Sequence, residues 1–140
     1  MKTIIIVTSM ILCAVGVQAR LGETPEQIEK RFGAPTFKGV NSNEYNKNGF
    51  EILVIYKNGV SVAEHYTRRG ITETDVKRIL SGQDAAGWND YAKDHNSVAW
   101  QSITNRHLAI WYKTEGRLSV TTRSEVDAGV EKRKKATDGF

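Results

Sequence analysis

The sequence predicts an α+β domain in which two short helices pack on an antiparallel sheet of about six strands, in the order α-βββ-α-βββ. Three observations carry this prediction. Two well-capped amphipathic segments, Pro25–Phe32 and Glu73–Ser81, read as helices. Two Asn-Gly pairs, Asn48-Gly49 and Asn58-Gly59, separate alternating apolar runs, as tight turns between antiparallel strands do. A second alternating region runs from Val98 to Thr122. A chain of 140 residues is expected to form one domain, and 39% hydrophobic with 26% charged side chains is the composition of a core-forming chain.

The N-terminal segment Met1–Ala19 reads as a secretory signal peptide. Lys2 supplies the positive start, Ile4 to Val17 is uncharged and mostly apolar, and Val17-Gln18-Ala19 places small residues at −3 and −1 before Arg20. The apolar stretch is too short to span a bilayer of about 30 Å. Cys13 is preceded by Leu12, which is not small, so no lipid anchor is expected. Cleavage near Ala19–Arg20 leaves 121 residues (140 − 19) with 19 basic and 16 acidic side chains, net +3, and no cysteine. An exported, cysteine-free domain must fold on its apolar core alone. The expected location is periplasmic or extracellular, and a bacterial periplasm suits such a chain best.

In the first helix, Thr24 is the N-cap, Pro25 occupies N1 and Gln27 completes a capping box. Ile28 and Phe32 share one face, Gly33 is placed to end the helix in the αL conformation, and Pro35 prevents its resumption. Residues 42–67 read as a three-stranded meander. Its middle strand, Phe50–Tyr56, is apolar on both faces and therefore expected to be covered on both sides. In the second helix Thr72 caps, Ile71 and Val76 form a hydrophobic staple, and Gly82 is the expected stop. Residues 83–96 read as a polar loop pinned by Trp88 and Tyr91. Strands are expected at Val98–Ile103, His107–Tyr112 and Leu118–Thr122, and residues 20–123 form the domain. Residues 124–140 read as a charged C-terminal helix or tail, the helix starting from a Ser124 cap. The two halves have a similar element order, but the likeness of their turn segments is attributed to turn chemistry and not to a repeat.

No catalytic motif stands out. His65, His95 and His107 are not at metal-ligand spacing, and GxSxG, HExxH and glycine-rich phosphate loops are absent from the sequence. No cofactor and no metal are expected. The candidate binding residues are Trp88, Tyr91, Trp100 and Trp111. Asp84, Asp90 and Asp94 lie in the same stretch as Trp88, and carboxylates beside tryptophan are the composition of a sugar site or glycoside hydrolase. Export argues against a nucleic-acid partner, and the basic run 132–135 is balanced by neighbouring acids, so none is expected; Arg68-Arg69 and the 132–135 run allow a weak attraction to anionic surfaces.

The first helix with its flanks, Gly22-Glu-Thr24-Pro-Glu-Gln27-Ile28-Glu-Lys-Arg-Phe32-Gly33-Ala-Pro35, resembles the opening of the SmpA/OmlA domain, the small lipoprotein component of the outer-membrane β-barrel assembly machine. It is also similar to β-lactamase inhibitory protein-like modules. The resemblance implies a compact α+β domain with helices packed on an antiparallel sheet, and a role in protein–protein contact. The expected function is a small, exported, non-enzymatic binding module for a protein or envelope component, using either an exposed sheet face or the aromatic stretch from Trp88 to Trp100. The alternatives are an envelope sugar-binding protein or hydrolase using the 84–100 stretch, and a structural domain whose C-terminal tail does the binding.

Overall fold

The computed structural model describes residues 20–137; residues 1–19, where a signal peptide is expected, and residues 138–140 lie outside the described residues. The elements follow in the order α1 (Pro25–Phe32), β1 (Phe37–Lys38), β2 (Ser42–Lys47), β3 (Phe50–Lys57), β4 (Val60–Thr67), α2 (Glu73–Gln83), β5 (Trp88–Lys93), β6 (Ser97–Ser102), β7 (His107–Tyr112), β8 (Arg117–Thr122) and α3 (Arg123–Thr137). All eight strands form one antiparallel sheet in the order β1-β2-β3-β4-β8-β7-β6-β5.

The α+β class with an antiparallel sheet is as expected, but a sheet of about six strands with two helices is not what forms. Among the described residues the sheet has eight strands, and there are three helices. Each missed strand has a physical reason. β1 is two residues long, pairing Phe37 with Glu44 and Lys38 with Asn43, and leaves no periodicity to detect. β5 falls in the segment expected to be a loop. Five of its six residues are exposed, so its backbone pairs with β6 without a buried side-chain stripe to mark it. α3 starts at Arg123, one residue before the expected cap, and the Thr122 hydroxyl accepts from the Glu125 N–H where Ser124 was expected to act.

The strand order reveals two α-ββββ units. Each is a helix followed by a four-stranded meander, and the two meanders join edge to edge where β4 pairs with β8. Turn positions correspond: Asn48 and Asn105, and Gly59 and Gly116, lie equally far apart in sequence, and all four have positive φ. The similar halves therefore reflect a repeated topology and not turn chemistry alone. The two Asn-Gly turns have positive φ at both residues, as type I′ requires. Gly116 is fixed by more than φ. A Cβ there would lie 2.7 Å from the Arg68 carbonyl oxygen, and the Arg68 N–H donates to the Gly116 carbonyl at 3.0 Å.

α1 forms as its sequence dictates, with Pro25 at N1 and both capping-box bonds present. It ends at Gly33 with φ 88° and ψ −169°, a region essentially restricted to glycine, and not in αL. α2 carries the expected staple, with Ile71 and Val76 both buried. It runs through Gly82 to Gln83, because the buried Gln83 side chain rewards the extra residues. Its Nε2 donates to Glu64 at 2.6 Å, and its Oε1 accepts from the Leu21 N–H at 3.2 Å.

Both helices contribute to one core. Ile28 and Phe32 of α1 and Val76 and Leu80 of α2 join Tyr45, Phe50, Ile52, Val54, Tyr66, Trp100, Leu118 and Val120 of the sheet. Cross-strand register places Tyr45, Ile52, Tyr66, Leu118 and Trp111 in one row, and Val54, Glu64, Val120, Ala109 and Trp100 in the next. Leu53 and Ile55 point the opposite way and are only half-buried, so β3 is not covered equally on both faces.

Glu64 is the exception in this core. It is fully buried, its Oε2 accepts from the Tyr66 hydroxyl and from Gln83 Nε2, and its Oε1 has no partner among the described residues. Burial pushes its pKa up, against the opposing effects of the Tyr66 hydrogen bond and the Arg31 charge. Arg31 is paired with Glu23 at the edge of the same network. A raised folded-state pKa means that Glu64 favours the folded state below its unfolded value of 4.5, and this contribution is lost as pH rises through the folded value. Glu64→Gln is therefore expected to be more stable than the parent at pH 8, with the difference vanishing near pH 4. Thermal unfolding across this range checks it; a variant less stable at pH 8 contradicts it.

Candidate functional site

The four aromatics singled out by sequence take different roles. Trp88 opens β5 and fastens it to the end of α2, its indole Nε1 donating to the Leu80 carbonyl at 2.7 Å. Its ring lies 6.4 Å from that of His107. Trp100, in the middle of β6, is only 7% exposed and belongs to the core. Trp111 on β7 is half-buried, with Lys113 Nζ 5.8 Å from its ring centroid, a cation–π distance. Tyr91 is 56% exposed. It sits where the β5–β6 register shifts between Asp90 and Ala92, an irregularity of the kind that re-aims a side chain at a sheet edge.

Antiparallel pairing brings three of the four together. Tyr91, Trp100 and Trp111 line one open depression of about 370 Å³, with Val98 between them. Trp88 lies outside it, lining a neighbouring hollow with Leu80 and Trp100. The rim of the depression carries Lys77, Lys93 and Lys113 against Glu73 and Asp90, an excess of one positive charge. Lys77 is paired with Glu73 at 3.0 Å, and this hydrogen bond holds the Glu73 carboxyl below its usual range. Lys93 and Lys113 make no ion pair among the described residues. Sequence reasoning missed these lysines, because they reach the rim from three separate elements and share no local spacing.

The carboxylates are engaged differently. Asp94 accepts from the Asn96 and Ser97 N–H groups and the Ser97 hydroxyl, and these bonds hold its pKa down. A general acid for glycoside hydrolysis needs the opposite shift. Asp84 caps α2 and accepts from the Ala86 N–H and the Thr104 hydroxyl. Only Asp90 faces the depression.

Asp84 also stands 3.7 Å from His107 Nδ1, too long for a hydrogen bond. Burial lowers the His107 pKa, and Asp84 offsets this only in part. His65 is on the other sheet face, its Nδ1 2.8 Å from the Ser119 hydroxyl, and burial lowers its pKa too. His95 lies in the β5–β6 turn, against Asn96. Among the described residues, no three His, Cys, Asp or Glu side chains form a potential metal-binding group, and no helix is long and apolar enough to cross a membrane.

Comparison with models of protein families, with curated proteins and with solved structures produced no match. The resemblance of Gly22–Pro35 to the SmpA/OmlA opening thus rests on those residues, and the structure assigns them to capping, core packing and helix termination.

The division of labour among the aromatics predicts separable effects. Trp100→Ala is expected to destabilise the fold by about 3–5 kcal/mol, as truncation of a buried aromatic does. Tyr91→Ala is expected to stay within about 0.5 kcal/mol of the parent. Denaturant unfolding of both variants measures the contrast, and equal costs contradict it.

Proposed function

We propose that this chain is a small, exported, non-enzymatic binding module that holds a protein partner or another envelope component on the depression formed by Tyr91, Trp100 and Trp111. The observation that carries this reading is the convergence of three aromatics from β5, β6 and β7 on one open surface whose rim carries Lys93 and Lys113, neither in an ion pair among the described residues. Exposed Tyr91 and half-buried Trp111, set on a rigid sheet above the buried Trp100, offer contact area at little entropic cost, and flanking lysines favour a partner that presents carboxylates. Export is supported by the sequence of residues 1–19, and the role in protein contact by the Gly22–Pro35 resemblance. The engagement of Asp84 and Asp94 in turns supports binding over glycoside hydrolysis.

The test is capture from a bacterial envelope fraction by immobilised protein. Tyr91→Ala combined with Lys113→Glu is expected to reduce recovery of the captured component at least roughly tenfold, the cost of losing a central aromatic contact and reversing a rim charge. Phe37→Ala, which removes an exposed aromatic at the far edge of the sheet, is expected to leave recovery unchanged. Equal recovery by the double variant and the parent refutes this surface.

A further inference from the structure

A second concavity lies away from the aromatic depression, where α2 of the second unit rests over the sheet of the first. Its volume is about 260 Å³, larger than the roughly 150 Å³ of an apolar cavity that takes up benzene, and so leaves room for a short alkyl chain or a single ring. Its apolar walls are Phe32, Phe50, Ile52, Tyr66 and Ile79. Its rim is cationic: Lys47, Arg68 and Arg78 face a single carboxylate, Asp75.

The cations are held in different ways. Arg68 is fixed, with its guanidinium carbon 4.1 Å from the Phe50 ring centroid, Nη2 paired with Asp75, and its backbone tied to Gly116. A guanidinium has five N–H donors, and Nη2–Asp75 is its one side-chain hydrogen bond among the described residues. Arg78 lies 4.0 Å from the same carboxylate with its side chain 76% exposed, and Lys47 makes no ion pair among the described residues. Asp75 is also committed to the Thr72 cap. The rim thus keeps an excess of two positive charges over an apolar pocket.

We propose that this cavity binds a small monoanionic amphiphile: a short alkyl chain or single ring bearing a carboxylate. The apolar body lies against Phe50, Ile52 and Ile79, and the carboxylate meets Lys47, Arg78 and the free donors of Arg68. Arg68 stacked on Phe50 joins the two parts of the site, since the same residue pair carries apolar surface below and charge above.

The experiment is a titration of the isotope-labelled protein with decanoate, followed by backbone amide chemical shifts, with 1-decanol as the uncharged probe of the same length. Decanoate is expected to saturate the protein with shifts concentrated at residues 47–50, Arg68 and 78–82. 1-Decanol is expected to bind roughly tenfold more weakly. Lys47→Ala and Arg78→Ala, both substitutions of exposed side chains, are each expected to weaken decanoate roughly three- to tenfold while leaving 1-decanol binding unchanged. Absence of saturation at millimolar decanoate, shifts centred elsewhere, equal affinity for the two probes, or unchanged decanoate affinity in both variants overturns the proposal. The aromatic depression shares no residue with this cavity, so either result leaves the capture experiment independent.

Discussion

The pairing of β4 with β8 is the interaction on which the rest of the molecule depends. Each α-ββββ unit alone would leave one long strand with an unpaired edge and a helix with too little sheet to cover. Joining the units at β4 and β8 closes both edges at once and places Glu64, Tyr66, Leu118 and Val120 at the centre of the buried face. It also allows α2, which belongs to the second unit by sequence, to pack on residues of the first. Gln83 bonds Glu64 and Tyr66, and Arg68, at the end of the first unit, is tied both to Gly116 and to Asp75.

Both surface sites follow from this seam. The cationic cavity exists because α2 crosses over β3 and β4, bringing Asp75, Arg78 and Ile79 opposite Phe50 and Tyr66. On its other side α2 brings Glu73 and Lys77 beside Trp100, completing the rim of the aromatic depression. One helix therefore serves as a shared wall, and its fixed position comes from the Thr72–Asp75 capping box, the Ile71–Val76 staple and the buried Gln83.

What the sequence made legible was local. Capping residues, the two Asn-Gly turns and the apolar alternation of β3 and β7 located α1, most of α2 and the main strands to within a residue or two. The signals failed where the determinant was distant. β1 is too short for a pattern, β5 is an exposed edge held by backbone bonds, and the end of α2 is set by what Gln83 meets on β4. Trp88, Tyr91, Trp100 and Trp111 were recognisable as candidates from residue type alone. Which of them would converge depended on the β5–β6–β7 register, and the lysine rim and the Arg68–Phe50 stack depended on the joining of the two units.

The most direct test of this account is native-state hydrogen exchange. If the β4–β8 seam makes the two units one cooperative body, the amides of β4 and β8 are the most protected in the chain, and both exchange only through global unfolding, with the same free energy and the same dependence on denaturant. If β3–β4 and β7–β8 instead open at clearly different free energies, the units fold separately and the seam is not what holds the structure together.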